Sequence, residues 1–263
     1  MSNYSTLLFE VRDNVGRITL NRPETGNVLN LQMANELMEV ALRCDEEPQV
    51  RAILLTGAGK NFCLGGDLKS FAAQGENMAY HLKEVTGGFH IAVARLTRSK
   101  APVVAAVQGA AAGGGLSLMC ACDLVLAAES AKFTVAYTKI GLTPDGSGSY
   151  FLPRLVGLKR ALELTLTNRM FSAHEAAHWG IVTRVVPDAE LMAQAEALAV
   201  QMAAGPTMAF GAAKRLLHSG WTEPLETQME LESRSIADMG RTSDAREGIG
   251  AFLAKRQPTY KGQ

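Results

Sequence analysis

Four stretches of the 263-residue chain place reactive or strained residue types where they could do chemistry. "GAAAGGGLSLMCACD" (109–123) sets Gly113, Gly114 and Gly115 in a row between two apolar runs, and "CLGGD" (63–67) carries a glycine pair. "HEAAH" (174–178) has two histidines at i and i+4 beside a glutamate, and "GLTPDGSGS" (141–149) holds Asp145 in a Pro/Gly turn. Glycine loses more backbone entropy on folding than any other residue, so three together need a reason. Either the chain turns where no Cβ fits, or something approaches the backbone closely.

Neither glycine loop is a nucleotide cradle. No Lys-Ser/Thr follows the glycines, and Gly113-x-Gly115 leads to Leu118 where GxGxxG needs its last glycine. Each loop follows an apolar strand and precedes a helix start. There the first N–H groups lack partners and the helix dipole adds partial positive charge. Two such loops facing each other make an oxyanion hole; either alone reads equally as tight strand–helix packing.

Ser117 opens a nucleophile elbow in "GLS", but Met119 replaces the closing glycine of GxSxG, which favours a plain small helix residue. HEAAH has zinc-peptidase spacing. Trp179-Gly180 follow at once and no third ligand is evident, so two exposed histidines on a short helix is the better account. A turn aspartate such as Asp145 is ordinarily an N-cap or Asx-turn residue, with catalysis the alternative.

The elements that must position these residues follow from periodicity. "TLLFEVR" and "VGRITL" around Asp13-Asn14 predict a β-hairpin. Leu31, Ala34, Leu37, Met38, Ala41 and Leu42 share one helical face, with Asn30 as N-cap and Pro48 beyond the end. "VRAILLTG", "APVVAAVQG" and "DLVLAA" predict short buried strands alternating with helices, one over about 76–98, hence an α/β layout with parallel strands. After about residue 147 the pattern is mainly helical, apart from a short strand at "IVTRVV". The expected organisation is a core with the active site over 1–200 and a helical region over 201–263.

Composition narrows the partners. Twenty-six basic residues cancel 26 acidic ones, which argues against a nucleic-acid or polybasic membrane surface. Cys44, Cys63, Cys120 and Cys122 have neither CxxC nor zinc-ribbon spacing and read as reduced thiols of a cytoplasmic protein without a metal site. "MSNYSTLLFEV" shows no basic leader, and the apolar stretch 101–128 is broken by Gln108, the glycines and Asp123, unlike a membrane span.

Taken together, "AAVQGAAAGGGLSLMCACDLVLAAESAKF", "IGLTPDGSGSYFLPRLVG" and "GIVTRVVP" resemble the crotonase superfamily, the enoyl-CoA hydratase/isomerase family, from about residue 5 to the C-terminus. The resemblance implies a spiral of ββα repeats, then C-terminal helices that join subunits into a homotrimer or a hexamer (a dimer of trimers). It also implies an acyl-CoA thioester substrate, no cofactor beyond its CoA moiety, and an enolate held by two backbone N–H groups. By position these belong to Gly66 and Gly114. The CoA itself would lie along "CLGGDLK", with Leu64, Gly65, Asp67 and Leu68 meeting the substrate and Leu142, Phe151 and Tyr137 as an apolar wall near Asp145. Arg22, Lys69, Lys255 and Arg256 are candidate CoA phosphate contacts, each of which also reads as a solvated surface charge.

Family hydratases use two glutamates, and Ser117 and Tyr137 stand in their places here. Neither hydroxyl replaces a carboxylate base near neutral pH, so standard hydration is disfavoured. The place of Asp145 resembles the acidic residue of Δ3,Δ2-enoyl-CoA isomerases, which implies one base that takes a proton at one carbon and returns it two carbons away. His90 and Asp145 also resemble the base and nucleophile of 4-chlorobenzoyl-CoA dehalogenases, to which "RALELTLTNR" is close. There, however, aromatic residues stand where this chain has Gly87-Gly88-Phe89, Gly66 and Tyr137, and His90 also reads as a half-buried helix residue. The expected activity is isomerase. Dehalogenase-like hydrolysis, an atypical hydratase and a silent acyl-CoA-binding member are the alternatives.

Overall fold

Asp13 and Asn14 both adopt positive φ (52° and 59°), the mirror-image turn that matches strand twist in a two-residue hairpin. They join β1 (Leu7–Arg12) to β2 (Val15–Leu20) as the antiparallel hairpin the sequence predicts. The computed structural model describes residues 4–263; residues 1–3, where the stretch read for a leader begins, lie outside the described residues.

Asn30 caps α1 (Leu31–Glu46) by accepting the Met33 N–H at 2.9 Å. β3 (Ala52–Gly57) leads into the first glycine loop, then α2 (Leu68–Ala72) and α3 (Met78–Arg98). The helix expected over 76–98 therefore begins at Met78, and a separate short helix, capped by Asp67, precedes it. The next repeat is β4 (Val103–Val107), β5 (Ala110–Ala112) and α4 (Gly114–Cys120). It is followed by β6 (Leu124–Ala128), β7 (Lys132–Thr134), α5 (Gly148–Val156) and α6 (Leu158–Thr167). Then come β8 (Phe171–Ser172), α7 (Ala173–His178), β9 (Arg184–Val186) and α8 (Leu191–Ala203). The chain finishes with α9 (Thr207–Ser219), α10 (Leu225–Gly240) and α11 (Ser243–Leu253).

The main sheet runs β1-β2-β3-β4-β6-β9, antiparallel only between β1 and β2, and a small sheet runs β5-β7-β8. Parallel bridges Leu29↔Gly66 and Cys63↔Ala111 continue the small layer across the first glycine loop. Each turn of chain thus lays one strand in the large sheet, one short piece in the second layer, and then a helix. That is the ββα spiral.

Strands β3 and β4 are buried on both faces, which their continuous apolar runs require. Helix α8 packs across β3, β4 and β6, so residue 200 falls inside a helix of the core and the outer helical layer begins at α9. Lys214 fastens α9 to the core through a 2.6 Å ion pair with Asp123. Burial raises the Asp123 pKa, and the Lys214 charge opposes that rise. Among the described residues, no helix is long and apolar enough to cross a membrane.

Candidate active site

The two glycine loops meet end to end. Gly65 (φ +94°) and Gly113 (φ +51°) turn where an L side chain is strained. A Cβ on Gly65 would stand 2.9 Å from the Ala112 carbonyl oxygen, and one on Gly115 would stand 2.2 Å from the Cys63 carbonyl oxygen. Tight packing therefore explains these two glycines.

At Gly66 and Gly114 a Cβ would also crowd a side chain, the Phe71 ring at 2.6 Å and Leu29 Cδ1 at 2.9 Å, and their amides add a second reason. The Leu29 N–H donates to Gly65 O (2.7 Å) and the Asp67 N–H donates to Leu29 O (2.9 Å), a parallel bridge that straddles Gly66 and leaves its N–H out. Gly114 is the first residue of α4, so its N–H has no intrahelical acceptor. Among the described residues neither amide has a hydrogen-bond partner. Both glycines line one cavity of about 300 Å³ together with Phe89, Tyr137, Leu142 and Asp145. Leu64 and Leu68 also line it and are exposed, at its mouth.

Asp145 is the one carboxylate on that cavity among the described residues. Its backbone carbonyl accepts the Gly148 N–H (2.9 Å), so the turn that starts α5 fixes its main chain. Its Oδ1 accepts a short hydrogen bond from the Tyr137 hydroxyl, which also lies 3.1 Å from Ser117 Oγ. Burial and the neighbouring Asp145 charge push the Tyr137 phenol well above its ordinary pKa, so it stays protonated and donates. Two unpaired amides that share a cavity with one oriented carboxylate suit removal of a proton next to a carbonyl whose oxygen gains charge.

The enoyl-CoA hydratase/isomerase family model matches residues 10–263. The chain belongs to that family, within the crotonase superfamily. A probable enoyl-CoA hydratase of Rhodobacter capsulatus is 41% identical over 99% of this chain and 100% of its own length. The 1,2-epoxyphenylacetyl-CoA isomerase of Escherichia coli is 40% identical over 98% of each chain. A solved putative enoyl-CoA hydratase/isomerase of Mycobacterium abscessus superposes with a TM-score of 0.93 at 36% identity, covering 98% of this chain and all of that one. The crotonase fold and acyl-CoA chemistry expected from the motifs accordingly hold.

Other residues singled out in the sequence fall around this crotonase-type site unevenly. His90 does not line the Asp145 cavity: its Nε2 accepts the Gly146 N–H (3.0 Å) and its ring borders a separate cavity with Arg98, Tyr150, Arg215 and His218. Phe151 lies there too, packed on Tyr150, His218 and Trp221, because α5 turns it away from Asp145. It is thus not part of the expected apolar wall. Phe89, Leu82 and Val85 from α3 supply that wall instead, and sequence periodicity shows them only as a helix face.

Arg22 and Asp67 satisfy each other at 3.0 Å, while Arg22 also donates to Val28 O and Asp67 caps α2 through the Ser70 N–H. They brace the first loop. Lys69 is exposed on α2, Lys255 is exposed beyond α11, and Arg256 is paired with Glu247. None of the four expected cations lines the cavity; Lys139 does, and only its nearness to Tyr137 in "YTKIGL" hints at it.

HEAAH, with Ala173 before it, forms the six-residue α7. Glu175 is occupied in a capping box with Ser172 and with Arg169, and His174 pairs loosely with Glu129 at 3.4 Å. Among the described residues no three metal-ligating side chains cluster. Burial pushes the Cys44, Cys63 and Cys120 thiols up to about 12, so they behave as core atoms.

Proposed function

We propose that the chain isomerises 3-enoyl-CoA thioesters to 2-enoyl-CoA thioesters with Asp145 as the single base. The observation that carries this reading is that one cavity holds the two unpaired amides of Gly66 and Gly114 and a single carboxylate. The Asp145 carboxylate takes a proton from C2. The electron pair moves to the thioester oxygen, and the Gly66 and Gly114 N–H groups hold the resulting dienolate. The protonated Asp145 then returns the proton at C4 while the C2–C3 double bond forms. Donors aimed at the developing charge act mainly in the transition state, and losing one costs about 2.7–4 kcal/mol. No cofactor beyond the CoA moiety enters.

Hydration would need a second acid–base group, and the neighbours of Asp145 are the hydroxyls of Tyr137 and Ser117. A hydrolytic route with His90 activating water is disfavoured because the lone pair of its Nε2 is already committed to the Gly146 N–H. Lys139 is the cation best placed to meet a CoA phosphate. The test is product analysis with 3-hexenoyl-CoA and 2-hexenoyl-CoA. The wild type interconverts them, and Asp145→Asn abolishes this while still binding the thioester. Net formation of 3-hydroxyacyl-CoA by the wild type as the main product would overturn the reading.

A further inference from the structure

Asp145 is the end of a buried hydroxyl chain that reaches back into the protein. Tyr137 Oη has one proton, and the short contact to Asp145 Oδ1 uses it. The phenol is held protonated by burial and by the adjacent carboxylate, so it cannot accept from Asp145 in the ionised state. The 3.1 Å contact with Ser117 must then run the other way, with the Ser117 hydroxyl donating to Tyr137 Oη. The chain has one direction: Ser117 to Tyr137 to Asp145.

Each link is fixed by its own packing. Ser117 is 3% exposed on α4, and a Cβ on Gly148 would stand 2.4 Å from its Oγ, so the start of α5 closes over it. The Tyr137 carbonyl accepts the N–H groups of Ile140 and Leu142, and its own N–H donates to Val135 O at 2.9 Å. The ring forms part of the cavity wall shared with Gly114: a Cβ on Gly114 would lie 3.8 Å from the Tyr137 hydroxyl.

We propose that Ser117 and Tyr137 act as positioning residues that block Asp145 Oδ1 and leave Oδ2 as the one oxygen that carries the proton between C2 and C4. This rests on the isomerase reading above and adds to it the way a single carboxylate keeps hold of its proton. With Oδ1 bonded, the carboxyl group is held from rotating, and the proton on Oδ2 faces the acyl carbons rather than exchanging with water. Hydrogen bonds to a charged group are the stronger class, so loss of the Tyr137 bond should be felt about ten- to hundredfold in rate.

The experiment follows 3-hexenoyl-CoA deuterated at C2 in ordinary water, scoring the rate and the fraction of label delivered to C4. In parallel, Asp145-dependent exchange of the C2 protons of butyryl-CoA with D2O is measured by NMR. Tyr137→Phe is expected to lower kcat about ten- to hundredfold with KM changed less than threefold, and to reduce label retention. Ser117→Ala is expected to move both in the same direction by less. The double variant should be no worse than Tyr137→Phe, because Ser117 acts through Tyr137. Each variant's folding is checked by its thermal midpoint.

Wild-type label retention left unchanged by Tyr137→Phe, or additive losses in the double variant, would overturn the relay and leave the isomerase reading standing. Exchange of butyryl-CoA without isomerisation would overturn the isomerase reading and, with it, the C2-to-C4 transfer that rests on it. Absence of both reactions in the wild type would overturn both.

Discussion

A Cβ built on Gly65 would lie 3.3 Å from the Gly114 nitrogen, so the residue beside one proposed donor packs directly against the other. Gly65→Ala leaves both proposed donors chemically intact. It nonetheless meets the Ala112 carbonyl at 2.9 Å and must hold φ near +94°. Such strain costs roughly 1–3 kcal/mol, and a displacement of this kind spreads the two donors. The expected result is a kcat at least tenfold lower with a thermal midpoint down by a few degrees. Unchanged turnover would mean that the donor spacing does not matter.

How far the sequence carried this picture depended on the range of each signal. The hairpin at Asp13-Asn14, the Asn30 cap and the buried strands are local and were all legible. Asp145 stood out by type and by its turn. The triplet proved to have both explanations, with Gly115 packed against Cys63 and Gly114 facing the cavity. What stayed hidden was long-range. No spacing rule brings Ser117 of α4 onto the β7–α5 connection that carries Tyr137 and Asp145, or sends Phe151 to the far side of α5. Arg22 and Asp67 looked like ligand contacts because their pairing with each other, 45 residues apart, leaves no local trace.

Glu36 predicts an acid-side loss of stability. Burial alone would raise its pKa, but hydrogen bonds from Thr6, Gln32 and Ser5 prevail and hold it at about 2 against an ordinary 4.5. The unfolded chain therefore takes up this proton first. The stabilisation is fully present above about pH 4.5 and is lost as the pH falls toward 2, roughly 3 kcal/mol in all. Urea midpoints measured from pH 6 to pH 2.5 should fall across that window and flatten in Glu36→Gln. Parallel curves for the two proteins would remove Glu36 as the cause.

HEAAH should behave as a structural helix start. With Glu175 engaged by Ser172 and Arg169, its side chain is not available to work on a water between the two histidines. His174→Ala with His178→Ala, and treatment with a chelator, are expected to leave thioester turnover within twofold of the untreated wild type. Glu175→Ala should instead cost about 0.5–2 kcal/mol of stability through the lost cap, read as a lower urea midpoint. A chelator-sensitive rate restored by added zinc would reverse this assignment.

The outer helices argue for self-association. Helix α10 buries none of its side chains, and a 16-residue helix in water is marginal without tertiary packing. Its Ile236 is 75% exposed, and Leu166 on α6 and Phe252 on α11 are 68% and 82% exposed. Burying one such side chain is worth roughly 1.5–3 kcal/mol, so several together supply a contact between copies. These faces make self-association the expectation, and the family resemblance implies three or six chains, to be read as the mass by light scattering at micromolar concentration. Ile236→Glu combined with Phe252→Glu replaces that burial with charge and should shift the mass to a single chain while the fold, read by circular dichroism, persists. A wild-type protein that already runs as one chain would mean these apolar faces serve another purpose.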